Sequence, residues 1–262
     1  MEDLEKIIDA LKLNDDVDAV FITGSFGAKN AKPYSDIDLV VLLKENKMNL
    51  YSLYRWVDGI FADIFFFDMA DMERISSLGK NDGNAMDGIF MSWLKKADIR
   101  FDKSGVLADL KNKTAADGAT LVSKKDKQSF WQKINYNFAA NKRYFESNDP
   151  LYHQALEIRL LYSVVEVICG YLALRDAAWR GEKSAVKYLT TSHPIFYEIF
   201  KKYSATSSLR DRFACYSQMV DLVFTDEYKK WTTADVVLIK KDLSIAEKNE
   251  PAVNYVETLF KI

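Results

Sequence analysis

Asp36 and Asp38 stand two positions apart in the stretch GSFGAKNAKPYSDID, residues 24–38, which opens on a Gly24-Ser25 pair. Side chains two apart on a strand share a face, so these carboxylates point one way while Ile37 points into the core. Two like charges at the start of a core strand repel each other and cost stability unless a cation lies between them. A metal-binding pair is the simplest reading. Gly24 falls where the chain turns sharply, or where a ligand approaches too closely for a Cβ. Ser25 adds a hydroxyl and a backbone N–H, and a helical turn starting there would present free N–H groups to a phosphate. The layout suits a nucleoside triphosphate held with two divalent ions.

A third carboxylate is available. Ile60 to Asp68 (IFADIFFFD) is an aromatic and β-branched run that reads as a strand, with Asp63 inside it. A carboxylate buried there without a partner is strongly destabilising, so Asp63 either reaches the sheet edge or joins the metal site. Asp68, ahead of Met69-Ala70-Asp71, reads as the cap of the next helix. A second Asp-x-Asp pair, Asp16 and Asp18, lacks an upstream Gly-Ser and reads as a solvated turn.

These residues need strands to hold them. Val17 to Thr23 (VDAVFIT) is short, apolar and stopped by glycine, which reads as a buried strand running into the Gly24 turn. Asp36 to Leu43 becomes continuously apolar and reads as the next core strand, Met48 to Val57 as a helix, and Asp98 to Phe101 as a last short strand. Met1 to Leu13 is an amphipathic acidic helix rather than a signal peptide. Asn112 to Lys127 is small, polar and charged and reads as a linker. Beyond it the periodicity is helical: Gln128 to Ser147, Pro150 to Ala177, Ser184 to Thr191, Pro194 to Tyr203, Ser208 to Thr225 and Pro251 to Phe260. The expectation is an α+β protein, with a catalytic domain of mixed sheet over residues 1–118 and an all-helical bundle domain over 119–262 that binds the second substrate. Substrates are expected in the cleft between them.

Gly24-Ser25, Asp36-x-Asp38 and Asp63 on a following strand resemble the nucleotidyltransferase superfamily typified by DNA polymerase β. The stretch Lys32-Pro33-Tyr34-Ser35-Asp36-Ile37-Asp38-Leu39 is similar to its antibiotic-modifying branch, the kanamycin, streptomycin and lincosamide enzymes. The resemblance covers residues 17–68. It implies transfer of a nucleoside monophosphate from an NTP, ATP first, to a hydroxyl of a small-molecule acceptor, with pyrophosphate released. Asp36, Asp38 and Asp63 would hold Mg²⁺, two ions, with Mn²⁺ as a substitute, and Gly24, Ser25 and Ser35 would hold the nucleotide. In the kanamycin-type enzymes a helical-domain carboxylate acts as base near the equivalent of Gln128 to Tyr144. Here no Asp or Glu lies between Gln128 and Phe145. Asp63 is the favoured base, with Glu157 as the other candidate.

Composition agrees with such an enzyme. The chain has 262 residues, enough for two small domains with real cores, and a net charge of −2. That balance argues against a protein wrapped in duplex nucleic acid. Cys169 and Cys215 are far apart and suit a reducing cytoplasm rather than a disulfide framework. No apolar run approaches the roughly twenty residues of a membrane span. Oligomeric state, monomer or homodimer, is not legible.

The helical half offers two further features. Arg175, Arg180 and Lys183 gather with Trp179 around a helix break at Gly181; Arg180 and Lys183 are candidates for the triphosphate tail, and a solvated helix end is the plainer alternative. Asn137, Asn141 and Tyr144 share a helical face at spacings of four and three, and either line a polar cleft or form an interhelical network. His153 and His193 carry no metal-ligand spacing and read as structural. The acceptor stays open. A polycationic aminoglycoside would want carboxylates such as Glu146, Asp149, Glu157 and Glu166, whereas a lincosamide would want aromatic walls. A protein side chain, as in antitoxin-type members, and a catalytically silent nucleotide-binding module are the alternatives.

Overall fold

A computed structural model describes residues 2–29, 31–32, 35–77, 86–117, 121–232 and 250–260. Pro33 and Tyr34 of the aspartate motif lie outside these, as do residues 118–120 of the expected linker. The chain divides into two compact units, Met1–Thr120 and Leu121–Ile262.

The first unit is built on a five-stranded sheet in the order β3-β4-β2-β1-β5. β1 (Val17–Thr23) runs antiparallel to both β2 (Ile37–Leu43) and β5 (Asp98–Asp102). β3 (Ser52–Val57) and β4 (Ile60–Asp68) form an antiparallel hairpin, and β4 then lies parallel to β2. The sheet is therefore mixed. Alternate residues bury on opposite faces. Val20, Ile22, Ile37, Leu39 and Ile64 pack under α1 (Glu2–Leu13) through Leu4 and Ile8. Phe21, Val40, Leu42 and Phe67 pack under α3 (Met69–Ser76), α4 (Met86–Lys95) and α5 (Val106–Asp117). The four-residue turn α2 (Gly24–Gly27) follows β1 directly.

Three expectations are corrected. The helix expected over Met48 to Val57 is strand β3 from Ser52 onward. Asp58 and Gly59, at φ +52° and +75°, make the two-residue turn with both positions left-handed that a tight hairpin demands, and this overrides helical propensity upstream. The Asp58 carboxylate also accepts the N–H groups of Asp3 and Leu4, capping α1 at 3.2 Å each. Asp18 is not in a solvated turn. It is buried at an irregularity in β1, where its carboxylate accepts the Ser104 hydroxyl at 2.6 Å. The expected linker is largely helical: α5 continues to Asp117, and α6 begins at Lys124, where Ser123 accepts the Asp126 N–H as its cap. The cap expected at Asp68 is present, and it forms a reciprocal capping box with Asp71 at 3.0 Å in each direction.

Every described element of the second unit is a helix: α6 (Lys124–Phe145), α7 (Pro150–Ala173), α8 (Glu182–Ser192), α9 (Pro194–Ala205), α10 (Leu209–Val223) and α11 (Glu250–Phe260). Its core joins Trp131 and Ile134 of α6, Leu160 and Val164 of α7, and Tyr216 and Met219 of α10. Proline at the first position of α7 and α9 starts those helices without wasting an N–H donor. Among the described residues, no helix is long and apolar enough to cross a membrane.

Candidate active site

The register of the sheet builds the site. Thr23 of β1 pairs with Asp38 of β2, Asp38 with Asp63 of β4, and Asp63 with Tyr54 of β3. These four residues form one row across four strands, and paired residues present their side chains to the same face. Asp36, two positions before Asp38, joins that face. One carboxylate oxygen from each of Asp36, Asp38 and Asp63 falls within 4.8 Å of the others, and all three residues are partly buried.

Gly24 shows how tightly the row is closed. Its φ is +61°, and a Cβ there would stand 1.9 Å from Asp38 Oδ2. A side chain there would have to displace the Asp38 carboxylate and hold a left-handed backbone that favours glycine. Thr23 is buried and donates its hydroxyl to the Trp93 carbonyl at 3.3 Å, tying the end of β1 to α4. The Ser25 hydroxyl oxygen and Asp63 Oδ1 are both buried with no hydrogen-bond partner among the described residues. Buried polar atoms left this way cost free energy, so these two mark where a polar or cationic ligand would be welcome. Burial first, and the Asp36 charge second, raise the Asp63 pKa above its ordinary value. A divalent cation relieves both effects, since it replaces lost hydration and offsets the repulsion. The three carboxylates thus fit a hard cation that prefers oxygen ligands.

Ser35 helps set the loop ahead of the carboxylates. Its hydroxyl accepts the Lys32 N–H, and its own N–H donates to the Lys32 carbonyl, both at 2.9 Å. Arg180 and Lys183 belong to the second unit, on either side of Gly181, which caps α8 at φ +82°. Arg180 Nη1 donates to the Trp179 carbonyl at 3.1 Å, and burial lowers its pKa; Lys183 is exposed. Arg175 is structural: it donates to the carbonyls of Leu222 and Val223 at 2.8 and 3.1 Å and covers the Tyr171 ring at 3.7 Å.

The amide-rich face of α6 is an interhelical network. Arg159 of α7 donates to Asn141 at 2.6 Å and to Asn137 at 2.9 Å, Asn141 donates to Ser163 at 3.0 Å, and Asn137 donates to Glu166. Arg159 also lies over the Tyr144 ring at 5.2 Å. Glu157 is paired with Arg212. A cavity of about 340 Å³ bounded by Tyr51, Phe65, Asp68 and Arg74 lies further along β4 and does not include the carboxylates. Arg74 there is held by Asp71 and Asp87 at 2.8 Å each.

Sequence reasoning passed over the neighbours of Asp63. Tyr54, Trp56 and Phe61 are exposed at 57, 69 and 40 %, on the same face as the carboxylates. Tyr54 stacks on Phe61 at 6.2 Å and Trp56 meets it edge-on at 5.5 Å. The hairpin signal Asp58-Gly59 between two aromatic runs was the clue to them.

Residues 5–76 match the family model for polymerase beta, nucleotidyltransferase. That span runs from α1 to α3 and contains the whole acidic triad, and the first unit carries a nucleotidyltransferase domain of the polymerase β superfamily. A solved nucleotidyltransferase-like protein from Exiguobacterium sibiricum 255-15 aligns at 9 % identity and a TM-score of 0.46, over 85 % of this chain and 73 % of that one. No curated protein matches the sequence.

Proposed function

We propose that this chain moves a nucleoside monophosphate from an NTP, ATP first, to a hydroxyl of a small molecule such as an aminoglycoside or lincosamide, releasing pyrophosphate. The observation that carries the reading is the meeting of Asp36, Asp38 and Asp63 within 4.8 Å, with Gly24 packed against Asp38. Asp36 and Asp38 hold Mg²⁺, two ions with Mn²⁺ as a substitute, and Asp63 completes the ligand set. Cations bound there neutralise charge on the triphosphate and acidify the acceptor hydroxyl. The remaining work falls to the chain. Ser25 and the N–H groups at the Gly24 turn hold the terminal phosphates, and Ser35 shapes the loop against the nucleotide. Arg180 and Lys183 supply cationic contacts to the triphosphate tail. Asp63, the carboxylate nearest the acceptor in this arrangement, receives the acceptor proton. We assign residues 1–118 to catalysis and 119–262 to substrate binding.

A cytoplasmic location belongs to the same reading. Burial pushes the Cys169 thiol up to about 11, so it stays protonated and inert rather than poised for exchange.

The test is pyrophosphate release from each NTP with Mg²⁺ and with Mn²⁺, with and without an antibiotic panel. Asp36→Ala and Asp38→Ala should each lower turnover by at least about 1,000-fold, roughly 4 kcal/mol of transition-state stabilisation, while circular dichroism stays unchanged. Near-normal turnover in either variant sinks the metal assignment. Absence of turnover with every acceptor, together with no metal-dependent triphosphate binding by calorimetry, removes the enzyme reading.

A further inference from the structure

The sheet order gives the site a direction. Gly24 and Ser25 lie beyond β1 on one side of the carboxylates, and β3 lies on the other, next to Asp63 of β4. In phosphoryl transfer the attacking and leaving oxygens stand roughly in line through the phosphorus. A pyrophosphate leaving toward the Gly24 turn therefore requires an acceptor arriving from the side of β4 and β3. That side is where the aromatic strip stands. Tyr54 is the direct register partner of Asp63, and Phe61 is two residues from Asp63 on the same strand face. β2 begins opposite Ala62, so Phe61 and its partner Trp56 project past the end of that strand. Three aromatic rings with 40 to 69 % of their surface open to water are costly on an edge hairpin that serves only structure.

We propose that Tyr54, Trp56 and Phe61 form the platform for the acceptor of the transfer, a hydroxylated small molecule with a flat apolar face of the aryl glycoside kind, which stacks there and presents its hydroxyl to Asp63. This rests on the nucleotidyltransferase reading and narrows it. The acceptor oxygen forms a bond to the α-phosphorus, and the bond from that phosphorus to the β-phosphate bridging oxygen breaks. Pyrophosphate leaves with that electron pair, and the acceptor proton passes to Asp63. The rings supply stacking and exclude water on the acceptor side alone. The nucleobase, carried on the transferred phosphorus rather than in line with it, does not need them.

Two binding measurements on the full chain separate the outcomes. In the first, calorimetry with Mg²⁺ and α,β-methylene-ATP compares the natural protein with the double variant Tyr54→Ala/Trp56→Ala. Affinities within about two-fold of each other are expected, and a loss of ten-fold or more would assign the strip to the nucleobase and overturn the proposal. No binding by the natural protein defeats the nucleotidyltransferase reading itself, which is a distinct result. In the second, phenyl β-D-glucoside is titrated in the presence of the same nucleotide. Saturable binding is expected, weakened at least ten-fold in the double variant and largely kept in Trp56→Phe, which preserves a ring. No saturable binding to the natural protein, or binding unaffected by the double variant, overturns it. Sedimentation covers the remaining occupant: a dimer of the natural protein that becomes monomeric in the double variant would make the strip a contact between copies and also overturn the proposal.

Discussion

A methyl group on Gly24 would have to share space with the Asp38 carboxylate, 1.9 Å from Oδ2, on a backbone already at φ +61°. Gly24→Ala should therefore displace Asp38 and cost about 1–2 kcal/mol of stability from the left-handed backbone alone, with turnover down by about 100-fold or more for the carboxylate shift. Calorimetric metal titration beside a melting curve separates the two effects. Asp63 makes the opposite kind of prediction. Its folded pKa is raised, so in the metal-free protein the neutral carboxyl is favoured by folding and the charged one is not. Metal-free Asp63→Asn should melt above the natural protein at neutral pH, and the gap should close as pH falls through the carboxylate range. Added Mg²⁺ should stabilise the natural protein more than the variant. Asp63 was legible in the sequence because a carboxylate inside an apolar strand needs a reason. Its link to Tyr54 was not, because a single strand does not disclose its register partner.

Elements were legible where one signal dominated. β1 and β2 are apolar runs with sharp ends, and α7, α9 and α10 announce themselves by Asp149-Pro150, Pro194 and Ser208. β3 was not, since Leu53, Tyr54 and Trp56 put apolar side chains on both faces of an edge strand and so hide its period of two. The turn that defines it is testable. Gly59→Ala places a Cβ in open space but on a φ of +75°, so it should cost about 1 kcal/mol by strain alone, read from chemical denaturation. The junction of α8 and α9 carries a pH dependence. His193 sits between the hydroxyls of Tyr171 and Tyr188, at 2.9 and 3.1 Å, and desolvation, then Arg175, holds its pKa below the ordinary 6.5. The unfolded chain thus takes up this proton first as pH falls. Stability should be intact above about 6.5 and decline below it, and His193→Gln should flatten that decline in melting curves taken across the range.

Each unit has a core of its own, two layers about the sheet in the first and a helical bundle in the second. The ligands proposed for the first unit bind the folded chain alone, so they add to its stability by mass action. Mg²⁺ with a non-hydrolysable ATP analogue, at about one hundred times the Kd, should add about 2.7 kcal/mol. Asp36→Ala should show none of that gain, and an equal rise in both proteins would mean that the nucleotide sits elsewhere.

The parallel ladder between β2 and β4 has a further consequence. β1 and β2 are neighbours in the chain, joined by residues 24–36, and β3 and β4 are joined by a tight turn, whereas β2 and β4 are separated by β3 and pair only when the hairpin docks on β2. Asp38 and Asp63 face each other across that docking line. Without a cation the Asp36 charge beside β2 works against a charged Asp63 on β4, across that line. A bound cation is a rivet through the seam. Loading should therefore appear as slower amide exchange along the β2–β4 ladder, while the β3–β4 turn, closed on its own side, keeps its rate.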